Sequence, residues 1–398
     1  MFDTVMTIAG WLTFVGAVIA GLPSVAALRL KRLVPAKTAL PASTAHRNDS
    51  VQPVVSVIVP ARNESPQIGT ALRSLLSAES IPIEIIAVND RSEDDTGRIM
   101  EEVAREDGRV TVLHITELPE GWLGKNHAMH KAAQSARGRF LLFTDGDIHY
   151  QPGAISAALA WVEKHQLQHF CMLPKMIPGS LLENVLTNFF GMCFAMGMQL
   201  HLLRTRFPLS YAGVGAFNLV NADFYRRAGG HVPIRMDVLD DVKLGKLMKR
   251  SGGRSDFILA DQWLSVRWQP SLWGVVVGLE KNAFASLNYS LPQILLVTVV
   301  FTFLFVLPVA LPLLVPFGLI GLTQATGWLS LAVFWHLLFA WLVWPLPQSL
   351  LMVPFFLCGP FLMAFAYWRS AVITLRQGGV RWRNSFYSLH QLRENLYR

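Results

Sequence analysis

Long apolar runs alternate with mixed sequence along this chain, and they predict a globular middle part between membrane-spanning ends. An apolar run from Val5 to Leu30 is long enough, at about 1.5 Å per residue in a helix, to cross about 30 Å of hydrocarbon. Three more hydrophobic blocks follow in the last third of the chain: Leu291 to Thr323, Trp328 to Leu346 and Leu350 to Trp368. These blocks predict three or four further spans, because Pro308, Pro312 and Pro316 interrupt the first block and favour a short hairpin there.

These runs predict a five-part organisation of the chain. We expect a transmembrane anchor at 1–32, a linker at 33–51, a globular domain with interfacial helices at 52–288, a C-terminal transmembrane region at 289–370 and a basic tail at 371–398. The basic residues that follow the first run place the globular domain in the cytoplasm by the positive-inside rule. Three C-terminal spans leave the tail outside and four return it inside, and the sequence leaves both arrangements open.

Two segments of the globular part are expected to lie at the membrane interface. Leu181 to Phe207 and Trp273 to Tyr289 are rich in apolar and aromatic residues, with a few polar residues between them. Such segments form interfacial helices that can shape a path for a lipid, although an ordinary core helix explains the first of them equally well.

Four β-branched or apolar segments in the middle part predict strands. They run from Val54 to Pro60, Ile83 to Val88, Val110 to His114 and Arg139 to Phe143, with helical patterns between them. Strands that alternate with helices predict an α/β fold with a doubly wound parallel sheet.

Composition changes this picture in one respect. The chain is 52% hydrophobic and 16% charged, with 12 Trp and 24 Phe, which excludes an ordinary soluble domain. Its net charge of +8 could indicate nucleic acid, but no basic helix with interleaved exposed aromatics is present. We therefore expect no nucleic-acid partner, and expect anionic membrane lipids and a diphosphate to meet the basic residues. The three cysteines are scattered and predict neither a disulfide framework nor a zinc site.

Carboxylates follow two of the predicted strands directly. Thr144-Asp145-Gly146-Asp147 comes after the fourth strand, and Asp90 ends the second. Because ligands bind at the carboxyl ends of strands in open α/β sheets, these residues are expected to converge on one crevice. Two carboxylates at this spacing can hold a divalent cation and a ribose hydroxyl, although turn-forming or helix-capping roles are the ordinary alternative.

The motifs together resemble the inverting family 2 glycosyltransferases, whose catalytic domain has the GT-A fold. The resemblance rests on Val57-Ile-Val-Pro-Ala-Arg-Asn-Glu64, Asn89-Asp-Arg-Ser92, the Asp-Gly-Asp strand end and Leu239-Asp-Asp-Val-Lys-Leu-Gly245. The segment from Leu118 to Lys125, with Ala128, resembles the bacterial hopene-associated subgroup, near the ceramide and carotenoid glucosyltransferases.

The resemblance implies roles for individual residues. The donor, a nucleotide-diphospho-sugar and most simply a UDP-sugar, would be bound by Pro60, Ala61, Arg62, Asn63, Glu64, Asp90, Lys125, Asp145 and Gly146. Asp147 and Asp145 would bind Mg²⁺ or Mn²⁺. Asp241 would be the catalytic base, beside Asp240, which stands where the family has Glu. Acidic residues also favour the first turn of a helix, so a helix start is the structural alternative for this pair.

A further segment, Ser265-Val-Arg-Trp268, resembles the end of the family's Gln-x-x-Arg-Trp motif. Leu264 replaces the Gln, so the signature of processive synthases is incomplete. Arg267 is expected to clamp the diphosphate and Trp268 to line the acceptor site, with a surface Arg and a buried Trp as the alternative.

The resulting hypothesis is a bacterial inner-membrane glycosyltransferase, with several spans and a cytoplasmic catalytic domain. It would move one sugar with inversion to the hydroxyl of a hopanoid, sphingolipid or carotenoid acceptor. A processive polysaccharide synthase and a membrane scaffold with an inactive glycosyltransferase domain are the alternatives.

Overall fold

A computed structural model describes residues 2–31, 52–77, 81–344, 346, 348–383 and 385–397. The predicted linker at 33–51 lies outside the described residues.

The chain separates into two compact units. The apolar unit comprises Met1–Leu30, Pro178–His201 and Trp268–Arg393. The sheet unit comprises Lys31–Ile177, Leu202–Arg267 and Glu394–Arg398. The five-part division along the sequence stays a prediction.

Helices and strands alternate through the sheet unit, and helices dominate the apolar unit. The α-helices are α1 (Phe2–Leu30), α2 (Ile68–Ser77), α3 (Thr96–Glu106), α4 (Gly124–Ser135), α5 (Ala154–His165), α6 (Leu181–Gly197), α7 (Ala222–Arg227), α8 (Asp240–Arg250), α9 (Leu272–Ser286), α10 (Leu291–Phe301), α11 (Leu307–Ala310), α12 (Leu322–Val343), α13 (Ser349–Met352), α14 (Cys358–Gln377) and α15 (Leu389–Glu394). The strands are β1 (Val55–Ala61), β2 (Ile83–Asp90), β3 (Val110–Ile115), β4 (Phe140–Phe143), β5 (His149–Tyr150), β6 (His169–Leu173), β7 (Lys175–Met176), β8 (Asn218–Asn221), β9 (Ser255–Leu259), β10 (Leu264–Val266), β11 (Gly379–Trp382) and β12 (Ser385–Ser388).

A seven-stranded sheet forms the centre of the sheet unit, in the order β3-β2-β1-β4-β8-β6-β9. The strand β1 is parallel to β2 and β4, with Val55 opposite Ile83 and Phe140, and β2 is parallel to β3. The four predicted strands and the α/β class are therefore confirmed. The sheet is mixed rather than wholly parallel, because β8 runs antiparallel to both β4 and β6.

Burial on both faces explains why β1 reads as a continuous apolar run. Val57 and Val59 face a core built with α2, α3 and α5, whereas Ile58 faces a second core built with α4 and α8. A strand covered on both sides needs apolar residues at successive positions, as parallel strands in α/β proteins do. Polar residues are therefore few inside these strands, and those that follow their carboxyl ends lie at the crevice.

The apolar unit contains the helices that are long and apolar enough to cross a membrane. In the described residues these are Asp3–Leu30, Leu291–Ala310 and Leu322–Val343, with a fourth if the pair Ser349–Phe355 and Cys358–Gln377, bent by 65°, counts as one span. The segment Leu291–Ala310 is one helical stretch with a π-helical turn at Thr302–Val306, directly before Pro308. Because proline has no N–H, the regular hydrogen bond is lost there and the helix widens locally.

The predicted interfacial segments also fall in the apolar unit. Helix α6 packs against α1 and α14, and it buries Val185, Phe189 and Met192 in the core of this unit. Helix α9 packs mainly against α14. The interfacial interpretation of both helices stays a prediction.

Candidate active site

The ammonium group of Lys125 lies between two of the predicted carboxylates. Its Nζ is 2.8 Å from Oδ1 of Asp145 and 3.1 Å from Oδ2 of Asp240. Asp145 follows the carboxyl end of β4, Asp240 opens α8 and Lys125 is in the first turn of α4. Three segments that are distant in sequence thus meet at one edge of the sheet.

A small cavity surrounds this ion-pair network. Its wall combines polar groups with the inner ends of apolar side chains. It is lined by Lys125, Met129, Phe143, Thr144, Asp145, Gly215, Asn218, His231, Asp240, Asp241 and Leu244. The position matches the crevice in which open α/β sheets bind their ligands.

One glycine fixes the spacing between the two acidic segments. The N–H of Gly215 donates to Oδ2 of Asp241 over 2.8 Å, and its carbonyl accepts from the N–H of Asp145 over 3.0 Å. A Cβ at this position would lie 2.5 Å from Oδ2 of Asp145. Only glycine lets the backbone approach both carboxylates this closely.

The Asp241 carboxylate is held in place and made more basic than usual. Its Oδ1 accepts from the N–H of Val242 over 2.7 Å, in addition to the bond from Gly215. Burial, and then the charge of Asp240, raise the pKa of Asp241 to about 6 against the opposing effect of Lys125. A carboxylate with this pKa is ionised at neutral pH and still able to take a proton.

The same negative charges stabilise the ionised form of Lys125. Burial alone lowers the pKa of its ammonium group, but attraction to Asp145, Asp240 and Asp241 outweighs burial and raises the pKa well above its usual value. Lys125 therefore remains a cation throughout the accessible pH range and balances part of the negative charge of the site.

Asp147, the predicted metal ligand, lies near two other acidic groups. Burial, and then repulsion from Asp145 and Glu64, raise its pKa to about 6. Hard carboxylate oxygens with surplus negative charge suit Mg²⁺ or Mn²⁺, so these residues fit a divalent cation by their chemistry. Among the residues that the structure describes, no group of three or more His, Cys, Asp or Glu side chains is arranged to hold a metal.

The predicted nucleotide-binding loop after β1 interlocks with the loop after β2. Asn63, in the left-handed region with a φ of 54°, accepts through Oδ1 from the N–H of Glu93 over 2.8 Å. The N–H of Glu64 donates to Oγ1 of Thr96 over 2.8 Å, and that of Ser65 to Oδ2 of Asp94 over 3.1 Å. These bonds fix the residues 61–65 relative to the end of β2.

Sequence reasoning overlooked Asp94, which is central to this contact. Burial opposes ionisation of its carboxyl, but hydrogen bonds from Thr96 and Ser65 outweigh burial and lower the pKa of Asp94 to about 2. An acidic residue two positions before a threonine at a helix start is a turn signal that could have identified it.

Asp90 is buried at the end of β2 and pairs with the next residue. The guanidinium of Arg91 donates to both carboxylate oxygens, over 2.7 and 3.0 Å. A Cβ on Gly124 would lie 2.5 Å from Oδ2 of Asp90, so the first residue of α4 must be small. Asp90 and Lys125 are therefore held at the same end of α4.

Other predicted donor-binding residues lie around the ends of β1 and β4. A Cβ on Gly146 would lie 3.1 Å from Cδ1 of Ile68 and 3.6 Å from the Cβ of Ala61. Its nearest atom of Pro60 is the carbonyl oxygen, at 3.9 Å. The structure thus brings Pro60, Ala61 and Gly146 together, and their donor-binding role stays a prediction.

Arg267 and Trp268, which the sequence pairs as one motif, belong to different units. An Nη atom of Arg267 donates to the carbonyl oxygen of Ile177 over 3.1 Å, and Arg267 does not line the cavity around Lys125. Trp268 stacks on Phe190 within the apolar unit, with ring centroids 5.7 Å apart and planes 28° apart. Their assignment to diphosphate and acceptor stays a prediction.

Asn218 and His231 line the cavity and were not among the predicted site residues. Asn218 donates through Nδ2 to the carbonyl oxygen of Asp241 over 3.2 Å and so supports the start of α8. His231 is fully buried and packs edge-on against Phe143, with ring centroids 4.8 Å apart. Both residues are distant in sequence from Lys125 and Asp145, and the sheet topology brings them to the site.

Most of the seven-stranded sheet lies in a segment that matches a known protein family. Residues 56–229 match the sequence profile described as glycosyl transferase family 2. This segment contains the ends of β1, β2 and β4 with Lys125, and it ends before Asp240 and Asp241. A curated relative, 4,4'-diaponeurosporenoate glycosyltransferase of Staphylococcus aureus, is 26% identical over 194 residues, which are 48% of this chain and 50% of the relative. The chain thus spans about half the length of the curated relatives it matches.

Two solved structures align with most of this chain at low TM-scores. The mannosyltransferase PcManGT from Pyrobaculum calidifontis, in complex with GDP-Man and Mn²⁺, aligns over 94% of this chain and 98% of its own, with 15% identity and a TM-score of 0.48. Residues 1–349 of S. aureus TarS, in complex with UDP-GlcNAc, align over 82% of this chain and 93% of their own, with 17% identity and a TM-score of 0.37.

Proposed function

We propose, from the premise that residues 56–229 form a glycosyltransferase domain of family 2, that this chain transfers one sugar from a nucleotide-diphospho-sugar to a lipid hydroxyl, with inversion. The proposal includes a bacterial inner-membrane location with the catalytic domain in the cytoplasm. The observation that carries it is the network in which Lys125 contacts Asp145 and Asp240 beside Asp241.

The network supports glycosyl transfer because a cation and a carboxylate that is able to act as a base lie in one crevice. In the proposed step Asp241 takes the proton of the acceptor hydroxyl, whose oxygen attacks C1 of the sugar. The bond between C1 and the diphosphate oxygen breaks with its electron pair, and the nucleotide diphosphate leaves. Lys125 balances part of the charge that develops on the leaving group. Attack opposite to the leaving group inverts the configuration at C1.

The charges of the site support a requirement for a divalent cation. Asp145, Asp240 and Asp241 lie near Lys125, and Asp147 lies near Asp145. An anionic diphosphate would be repelled by this surplus of negative charge unless a cation accompanied it. Asp147 and Asp145 would hold Mg²⁺ or Mn²⁺, which supplies charge neutralisation for the diphosphate when bound.

The apolar unit supports a lipid acceptor and a membrane location. Three described helices, or four with the bent pair, are long and apolar enough to cross a membrane. An acceptor that resides in the bilayer would explain why such helices accompany a sugar-transferring domain. The name of the curated relative pairs a glycosyltransferase with 4,4'-diaponeurosporenoate. Hopanoid, sphingolipid and carotenoid acceptors are therefore the classes to test.

Lipid mass spectrometry tests this proposal. Lipids are extracted from cells that carry the gene, from cells that lack it, and from cells complemented with the Asp241→Asn variant. The proposal predicts a lipid heavier by one sugar residue that only the active gene produces. Unchanged lipids together with a lost polysaccharide would instead support a processive synthase, and no difference in either would contradict transfer altogether.

A further inference from the structure

The cavity around Lys125 contains a buried histidine that the proposed chemistry does not use. His231 follows two glycines at the end of α7, both with positive φ, and its side chain is fully buried. It lines the same cavity as Asp145, Asp240 and Asp241. Burial, reinforced by the charges of His130 and Lys125, lowers the pKa of His231 to about 3. The imidazole is therefore neutral at any pH at which the protein works.

Tyr225 fixes which ring nitrogen of His231 carries the proton. The phenolic oxygen of Tyr225 lies 2.6 Å from Nδ1 of His231. Burial keeps the phenol protonated by raising its pKa, and in the described part of the chain Nδ1 of His231 is the acceptor within reach of its proton. The phenol must then donate its proton to Nδ1, so the hydrogen of the neutral ring is on Nε2.

The resulting Nε2–H group has no acceptor in the part of the chain that the structure describes. Among the described residues, no hydrogen-bond partner reaches Nε2, although the atom is buried. A buried donor without an acceptor costs about 1–3 kcal/mol, and folded proteins rarely retain one without a use. The ring is held on its other sides by Phe143 and Tyr225, at centroid distances of 4.8 and 5.6 Å. The donor is thus pre-oriented beside the carboxylates of the cavity.

We propose that Nε2–H of His231 donates a hydrogen bond to a hydroxyl oxygen of the sugar being transferred, and so contributes to recognition of the donor. This inference rests on the proposed function, since it assigns one hydroxyl of the transferred sugar to this cavity, whose volume of about 10 Å³ admits a single water-sized group. A neutral donor suits a sugar hydroxyl, whereas the charged diphosphate is matched by Lys125 and the cation. The carboxylates beside the same hydroxyl would accept a hydrogen bond from it, so the hydroxyl would both accept and donate a hydrogen bond in this cavity.

The test compares binding of the donor with binding of its nucleotide alone. The full chain in detergent is titrated by calorimetry with UDP-glucose, UDP-galactose, UDP-N-acetylglucosamine and GDP-mannose, and with UDP and GDP. His231→Phe should weaken binding of the accepted nucleotide sugar about tenfold and leave binding of the bare diphosphate unchanged. His231→Gln, which can place an amide N–H near the position of Nε2, should recover most of the loss.

Two further variants distinguish loss of the hydrogen bond from a folding defect. Tyr225→Phe keeps the volume but no longer fixes the proton on Nε2, so it should weaken nucleotide-sugar binding without affecting the bare diphosphate. His130→Phe is the matched control, since His130 stacks on Trp122 and does not line the cavity. Thermal unfolding verifies that each variant is folded.

Distinct results separate failure of the inference from failure of the proposed function. Unchanged affinity of His231→Phe for the nucleotide sugar would overturn the inference. An equal loss for nucleotide sugar and bare diphosphate would also overturn it, because the bond would then go to phosphate. A wild-type chain that binds none of the nucleotide sugars or diphosphates would contradict the proposed function itself.

Discussion

The backbone N–H of Gly215 lies 2.8 Å from Oδ2 of Asp241, and it joins the loop before β8 to the first turn of α8. The carbonyl of the same residue accepts from the N–H of Asp145. One glycine therefore determines the separation between the carboxylate assigned to the base and the carboxylates assigned to the donor and cation. Several consequences of this arrangement can be measured.

Replacement of Gly215 by alanine should abolish most activity without unfolding the chain. The new Cβ would lie 2.5 Å from Oδ2 of Asp145 and must displace that carboxylate or the loop. Because misplacement by about 1 Å can cost about a hundredfold in rate, we expect a loss of this order in kcat/KM. Gly108→Ala is the matched control, since no atom lies within 4 Å of its added Cβ. Activity of Gly215→Ala equal to that of the control would contradict the proposed role of this contact.

Lys125→Met should weaken binding of a nucleotide diphosphate by tenfold or more. The substitution removes the cation that contacts both Asp145 and Asp240, and leaves both carboxylates facing the anionic ligand. Lys131→Met, on the exposed side of the same helix, should leave the affinity unchanged. Calorimetry with UDP and GDP in the presence of Mg²⁺ measures both. Equal affinities of the two variants for the nucleotide diphosphate would contradict a role of Lys125 in donor binding.

Activity should fall in acid as the Asp241 base becomes protonated. Burial and the charge of Asp240 raise the pKa of Asp241 to about 6, and the base acts in its ionised form. We expect kcat/KM to be constant above about pH 7 and to fall about tenfold per pH unit well below 6, because kcat/KM reports the free enzyme. Asp240→Asn removes the like charge and should shift the midpoint to lower pH. A profile that is flat from pH 5 to 7 would contradict this assignment.

Asp147→Asn should stabilise the metal-free chain at neutral pH and abolish its response to metal. The pKa of Asp147 is raised to about 6 in the fold, so its ionised form disfavours folding above the unfolded pKa near 3.8. After allowance for partial exposure we expect a gain of about 1–2 kcal/mol at pH 7 that shrinks as the pH falls and disappears below about pH 3, where both states are protonated. Thermal unfolding in EDTA and with Mn²⁺ checks both. Retained stabilisation of the variant by Mn²⁺ would refute the metal assignment.

The sequence was sufficient to predict the parts of this site that local patterns encode. The four parallel strands and the carboxylates after β2 and β4 were predictable, because buried strands read as apolar runs and polar residues mark their ends. The antiparallel β8 has only four residues and lies in a segment without a clear period. The contacts of Gly215 with Asp241 and of Tyr225 with His231 follow from tertiary packing. Arg267 and Trp268 are adjacent in sequence but belong to separate compact units, a division that their shared motif does not reveal.

The central claim is that Asp241 removes the proton of the acceptor hydroxyl, and one comparison of turnover tests it most directly. Asp241→Asn and Asp240→Asn are purified with the wild-type chain and assayed with the nucleotide sugar and lipid identified by mass spectrometry. Asp241→Asn keeps the size and much of the hydrogen bonding of the side chain, so a helix-start role alone predicts at most about a 2 kcal/mol loss of stability with activity retained. The proposed mechanism predicts that Asp241→Asn lowers kcat by about a hundredfold or more with unchanged affinity for the donor. Near-normal turnover of Asp241→Asn, or an essential role of Asp240 alone, would contradict it.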